Sequence, residues 1–159
     1  MGALCQVIVV TGVHHALNLV EIEMLAKTNW NPVNPVGSCG NVAQAGAAMA
    51  VAVKSKSVKM KSLAYPSSVS ALLGITEPAV FGVNLRLVSP FVCGCLGGIG
   101  GWLAAILGLK GTGMSITGIP GMLLYLNEQF PLYILVNVVA FGAAFALTYV
   151  FGMKGDVQE

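Results

Sequence analysis

Residues 129–153 read QFPLYILVNVVAFGAAFALTYVFGM, a run without a single charge that closes on Lys154. About 20 apolar residues in a helix cross the hydrocarbon core of a bilayer, so this run is long enough to span. A second stretch, Leu87 to Leu109, is equally free of charge and is bracketed by Arg86 and Lys110. The rest of the chain agrees with these two. Of its 159 residues, 9 % are charged and 56 % apolar, with a mean hydropathy of +0.82. Soluble domains hold about 25 % charged residues, and disordered chains combine low hydrophobicity with high charge, so both classes are excluded. A net charge of +2 is too small for a nucleic-acid footprint. The fold class is therefore all-α: a polytopic membrane protein with transmembrane helices and re-entrant or broken hairpins.

Four further apolar stretches are less regular. Gly2 to Val20 holds His14 and His15. Val33 to Val53 opens with Asn31-Pro32-Val33-Asn34-Pro35 and carries Asn41 and Gln44. Leu63 to Leu85 contains Pro66, Gly74, Glu77, Pro78 and Asn84. Gly111 to Leu126 is short and interrupted by Gly118, Pro120 and Gly121. Short, Gly/Pro-interrupted hydrophobic segments point to broken or re-entrant helices, which survive at membrane depth only when protein or a water-filled cavity surrounds them. In the Leu87–Leu109 stretch, Gly97-x-x-x-Gly101 fits the close-packing motif of membrane helices. Ser115 to Pro120 echoes Gly74 to Pro78, although in so biased a composition chance is the simpler reading.

Lys54, Lys56, Lys59 and Lys61 form the one charge cluster. It reads as a solvated loop, and the positive-inside rule places it in the cytoplasm. Leu63 to Leu85 then returns to that side near Arg86. Leu87 to Leu109 crosses outward, Gly111 to Leu126 dips in and out, and Gln129 to Met153 crosses back. Residues 155–159 are a cytoplasmic tail. The apolar start, Met1 to Val10, lacks the basic region of a signal peptide and reads as beginning inside a hydrophobic segment. Cys5, Cys93 and Cys95 sit in apolar stretches and read as buried structural thiols. Cys93-x-Cys95 has no second pair, which disfavours zinc.

Glu77 is the sharpest feature. No charge separates it from Lys61, and an acid at mid-membrane costs roughly 2.5–3.5 kcal/mol on insertion scales. Such a residue faces a cavity or a partner, and the competing structural reading pairs it with Arg86. Thr76 is placed to cap a half-helix with Glu77 and Pro78 in its first turn, where the positive dipole end stabilises a carboxylate. A fixed carboxylate accepts hydrogen bonds from two neighbouring hydroxyls, which a sugar offers. His14, Asn18 and Glu21 share one helix face. Adjacent His14 and His15 point about 100° apart and suit one metal poorly. Asn41 and Gln44 add amide donors and acceptors, with helix–helix hydrogen bonding as their structural alternative. No hydrolase nucleophile stands out, and Gly111-x-Gly113 precedes no dinucleotide-binding pattern. Neutral hydrogen-bonding groups plus one acid suit an uncharged polyhydroxylated ligand.

Val10-Thr11-Gly12-Val13-His14-His15, then Asn41 to Ala47 (NVAQAGA), then Leu73 to Arg86 (LGITEPAVFGVNLR) occur in this order. With these blocks the chain resembles the C-terminal part of the enzyme IIC channel component of bacterial phosphotransferase-system sugar permeases. The branch is the sucrose, trehalose and β-glucoside one, and the Ile116–Gly121 and Ala140–Phe145 stretches look most like sucrose permeases. The resemblance implies that Glu77 and one of His14 or His15 contact sugar hydroxyls. The candidate substrate site is Glu77, His14, His15, Thr76, Asn41, Gln44 and Asn84, with no catalytic residue, metal or cofactor. Residues 1–154 are expected to form the sugar-binding part of the membrane domain.

The family resemblance also implies a sugar domain that moves against a dimeric scaffold. A disaccharide is carried across the bacterial inner membrane and phosphorylated from a phosphocysteine on a separate IIB domain, itself supplied through IIA. The channel domain of such permeases is more than twice this length. The N-terminal scaffold helices are expected as a missing partner, and a homodimer is expected of the full-length protein. None of the four cysteines has the Cys-x-Thr-Arg context of IIB, so phosphoryl transfer is not expected of this chain alone. The alternatives are a trehalose or β-glucoside specificity, or a truncated membrane remnant that transports nothing.

Overall fold

A computed structural model describes residues 8, 10–111, 113, 117–126 and 128–152, with backbone alone at 14, 15, 17 and 18. Cys5, the start of the chain and the 155–159 tail lie outside the described residues, as do the side chains of His14 and His15. Helix α1 (His14–Thr28) ends where Asn29 turns left-handed at φ 56° and its N–H donates to Leu25 O. Leu19, Val20 and Ile22 on α1 are exposed.

Helix α2 (Val33–Lys54) corrects the expectation of an interrupted segment. Pro35 falls in its first turn, where a missing N–H breaks no intrahelical bond. Asn31 just before it accepts from the Val33 and Asn34 N–H groups at 3.0 and 3.1 Å. The Asn-Pro-Val-Asn-Pro sequence thus starts a helix long and apolar enough to span.

Helix α3 (Val58–Leu72) is capped by Ser57, whose Oγ accepts from the Met60 N–H, and it contains Pro66. A turn at 73–76 leads to α4 (Glu77–Ala79), a π-helical turn (Val80–Asn84) and α5 (Leu85–Leu87). This is the broken hairpin expected from Gly74 and Pro78. Val88 follows at φ 58°, a strained value for a β-branched residue. The Leu87–Leu109 span is formed as α6 (Ser89–Gly97) and α7 (Gly100–Ile106), continuous enough to cross but turned at Gly98. After a 3₁₀ turn (Pro120–Tyr125), α8 (Phe130–Phe151) completes the chain.

Helix α2 is the centre. One flank packs with α7 and α8 through Cys39, Ala43, Ala104, Tyr133, Ala140 and Ala144. The other packs with the hairpin through Ala45, Ala48, Ala52, Ala64, Ala71 and Val83. These contacts are alanine-rich because membrane helices associate through close approach rather than through hydrophobic expulsion from water. A Cβ on Gly97 would lie 2.5 Å from Ala144 Cβ, and one on Gly100 would lie 2.9 Å from Ala140 Cβ. Gly97 and Gly100 thus both make close contact with α8.

The helix ends fall into two sets. At one end, the Lys54 ammonium donates to Tyr149 O and sits over the Tyr149 ring, and Ser89 Oγ donates to Phe151 O. At the other, Asn31 and Gly111 exchange two backbone hydrogen bonds at 2.9 Å, and Tyr125 OH donates to Asn34 Oδ1. Helices α2 and α8 thus run in one direction and α6–α7 against them.

Candidate substrate site at the meeting of two helix breaks

The two interrupted segments touch. Leu72 O, at the end of α3, accepts from the Ile119 N–H at 2.9 Å. Gly118 makes the approach possible: its φ is +81°, and a Cβ there would lie 2.3 Å from Leu72 O. The 117–119 strand of chain is then held from below. The Gly118 N–H donates to Ser38 Oγ at 3.1 Å and Gly118 O accepts from Tyr133 OH at 3.2 Å. Ser38 Oγ lies 2.6 Å from Tyr133 OH and donates to Asn137 Oδ1. Asn137 Nδ2 donates to Tyr133 O, and the Tyr125 ring stacks on Tyr133 at 4.2 Å. Buried polar groups at this depth are costly unless satisfied, and here each satisfies another. Beside this node lies a cavity of about 270 Å³ walled by Val42, Leu72, Ile119, Ile134 and Phe141 with Asn137 at its edge.

The hairpin side of the junction carries the acid. Thr76 is buried and sits at the N-cap position of α4, but its side chain makes no capping hydrogen bond, contrary to the expected cap. Its carbonyl instead accepts from the Val80 N–H. Glu77 next to it is exposed. Lys27–Glu23 is the one ion pair among the described residues, so the structural reading that pairs Glu77 with Arg86 fails. The two are nine positions apart, with the π-helical turn (Val80–Asn84) between them.

The expected amides fall into two groups. Asn41 Nδ2 donates to Thr117 Oγ1, which ties α2 to the tip of the second break. Gln44 and Asn84 are fully buried and bonded to each other: Asn84 Nδ2 donates to Gln44 Oε1 at 2.7 Å and to Gln44 O at 3.0 Å. Gln44 Nε2 donates onward to Phe91 O. These two act here in helix–helix hydrogen bonding and face no open space. Asn84 closes the π turn, a distortion that recurs at functional sites.

Sequence reasoning missed Ser38, Thr117, Tyr133 and Asn137. A signal for two of them existed. Tyr133 and Asn137 are four apart in the charge-free run, so they share one helix face, and a lone amide in such a run needs a partner. Ser38 carried no signal, since single hydroxyls are common in apolar helices, and Thr117 stood out just as part of an interrupted segment.

Fold and site together define a polytopic α-helical membrane protein with a polar junction between two helix breaks. The family model described as "Phosphotransferase system, EIIC" matches residues 1–98, and the chain belongs to that family. Over 99 % of its length it is 40 % identical to a sucrose-specific EIIBC component of Salmonella typhimurium, of which it covers 35 %. A sucrose-specific EIIBC component of Vibrio alginolyticus is 40 % identical over 93 % of the chain, covering 32 % of that protein. A beta-glucoside-specific EIIBCA component of Bacillus subtilis is 36 % identical over 92 % of the chain, covering 24 % of that protein. The chain thus spans about a third of the length of its sucrose-specific relatives. No solved structure matches it.

Proposed function

We propose that this chain is the sugar-binding part of a phosphoenolpyruvate-dependent permease that imports a disaccharide, sucrose foremost, across the bacterial plasma membrane. The observation that carries the reading is Glu77: an acid in an apolar stretch, exposed and without an ion pair among the described residues, beside a junction of two broken helices. A carboxylate so placed accepts hydrogen bonds from two adjacent sugar hydroxyls, and charge-assisted bonds of this kind are about twice as strong as neutral ones. The Asn41–Thr117 pair and Thr76 add to the polar wall, and the family resemblance adds His14 or His15 as a sugar contact. Gln44 and Asn84 hold the hairpin that presents Glu77. Phosphoryl transfer to the imported sugar falls to the B component named in the relatives, fed in turn by an A component. The N-terminal helices of the membrane domain are further partners, and the assembled permease is a homodimer.

Equilibrium binding of sucrose to the chain in lipid nanodiscs tests this, with trehalose and a β-glucoside as competitors. Saturable binding that ranks sucrose first is expected. The 36 % identity to a beta-glucoside-specific component makes that sugar the informative rival, and a reversed ranking would move the chain to its branch. Glu77→Gln is expected to weaken binding at least tenfold, because loss of one charged hydrogen bond is worth ~1.5–3 kcal/mol, while insertion and helicity stay unchanged. Unaltered affinity in that variant would remove Glu77 from the site. No binding by the well-folded chain would mean that the rest of the permease supplies essential walls.

A further inference from the structure

A second cleft, separate from the junction, opens at the lysine-rich end of the hairpin. It measures about 520 Å³ and lies between the start of α3 and the end of α5, within the range of small-ligand sites. Lys59 and Arg86 bring two cations to it from the two arms, Ser57 and Ser62 bring hydroxyls, and Leu63 and Leu87 bring apolar wall. No acid lines it, and neither Lys59 nor Arg86 makes an ion pair among the described residues. Lys54, Lys56 and Lys61 flank it in sequence and raise the positive potential at its mouth. The amino end of the fifteen-residue α3 adds the positive pole of a helix dipole.

We propose that this cleft binds one anionic phospholipid of the cytoplasmic leaflet, its phosphodiester between Lys59 and Arg86 and an acyl chain along Leu63 and Leu87. Two observations and one general rule favour a lipid over a phosphoryl group on a soluble partner. The cleft joins cations to apolar wall, as a headgroup joined to hydrocarbon requires. It lies where the positive-inside rule sets the membrane surface. Basic pockets on that side, between membrane helices, bind anionic headgroups. The inference is independent of the sugar site, since neither cation belongs to it.

The test is native mass spectrometry of the full chain in detergent, titrated with phosphatidylglycerol or with phosphatidylcholine of the same acyl chains. One phosphatidylglycerol is expected to be retained in preference to phosphatidylcholine. The double variant Lys59→Gln/Arg86→Gln is expected to lose about thirtyfold in phosphatidylglycerol affinity, given the usual contribution of a basic residue at an anionic surface. Lys59→Arg with Arg86 intact is expected to retain it. A control double variant at the opposite end and on α1, Lys27→Gln/Lys110→Gln, is expected to leave it unchanged. Equal retention of the two lipids, or an equal loss in the control variant, would overturn the proposal. Displacement of the lipid by inorganic phosphate at matching concentration would also overturn it, in favour of a soluble phosphoryl ligand. Circular dichroism of each variant separates loss of the site from loss of the fold.

Discussion

Helices α2 and α8 have the same length, 22 residues, run in the same direction and pack on one another, yet they solve opposite problems. Helix α2 is the less apolar of the two, and 72 % of its spanning window is buried inside the protein; α8 is the more apolar, and only 28 % of its window is buried. In a soluble protein the ranking would be reversed. In lipid there is no gain in hiding leucine from hydrocarbon, so Leu135, Val138 and Val150 on α8 stay on the outside. Polar groups are what must be hidden and paired. Helix α2 therefore carries Ser38, Asn41 and Gln44, each bonded to a neighbouring element, while its alanines let four elements approach closely. Helix α8 spends just one face, Tyr133, Asn137, Ala140 and Ala144, on that centre.

The contrast can be broken by substitution, measured as unfolding free energy in bicelles. The largest effect is expected from Gly118→Ala, at the contact both helices support. The left-handed backbone adds ~1–2 kcal/mol of strain, and a methyl group 2.3 Å from Leu72 O adds an overpacking cost of ~1–3 kcal/mol. A neutral result would mean that the two breaks do not dock. Gln44→Leu, in the middle of α2, is expected to cost ~1–3 kcal/mol, because it removes the Oε1 acceptor of the buried Asn84 amide and leaves that N–H unpaired. The change makes α2 more apolar, so stabilisation here would invert the interpretation of its polar residues. Leu135→Ala, on the lipid face of α8, is expected to change stability by less than ~0.5 kcal/mol. A loss as large as that of Gln44→Leu would place a protein partner on that face.

The hairpin differs from both long helices. Between Leu72 and Ser89 the backbone passes through a turn, a π-helical segment and the strained Val88, and Asn84 Oδ1 is buried without a partner. Distortions of this kind persist only where surrounding structure imposes them, and they cluster at working sites. The hairpin that carries Glu77 is thus the least regular part of the molecule, held by the most regular part.

Much of this was legible in the sequence. Charge-free runs of 20 or more residues fix which segments can cross a bilayer, because the bilayer has one thickness and the helix one rise. Gly74 and Pro78, with Gly118 and Pro120, mark the breaks through local backbone chemistry. An acid in an apolar stretch marks Glu77 through its desolvation cost. The Asn31–Pro35 opening misled, since a proline marks a break or a helix start according to where the N–H groups around it find partners, and the Asn31 side chain supplies them. The echo between Gly74–Pro78 and Ser115–Pro120, read as chance, involves segments that meet at Leu72 and Gly118. Whether Gln44 and Asn84 line a cavity or bond to each other depends on distances across forty residues of chain. The sequence by itself determined which groups are too costly to leave unpaired in lipid. The tertiary structure alone decided which partner each one found, because pairing is a property of the packed helices and not of any one of them.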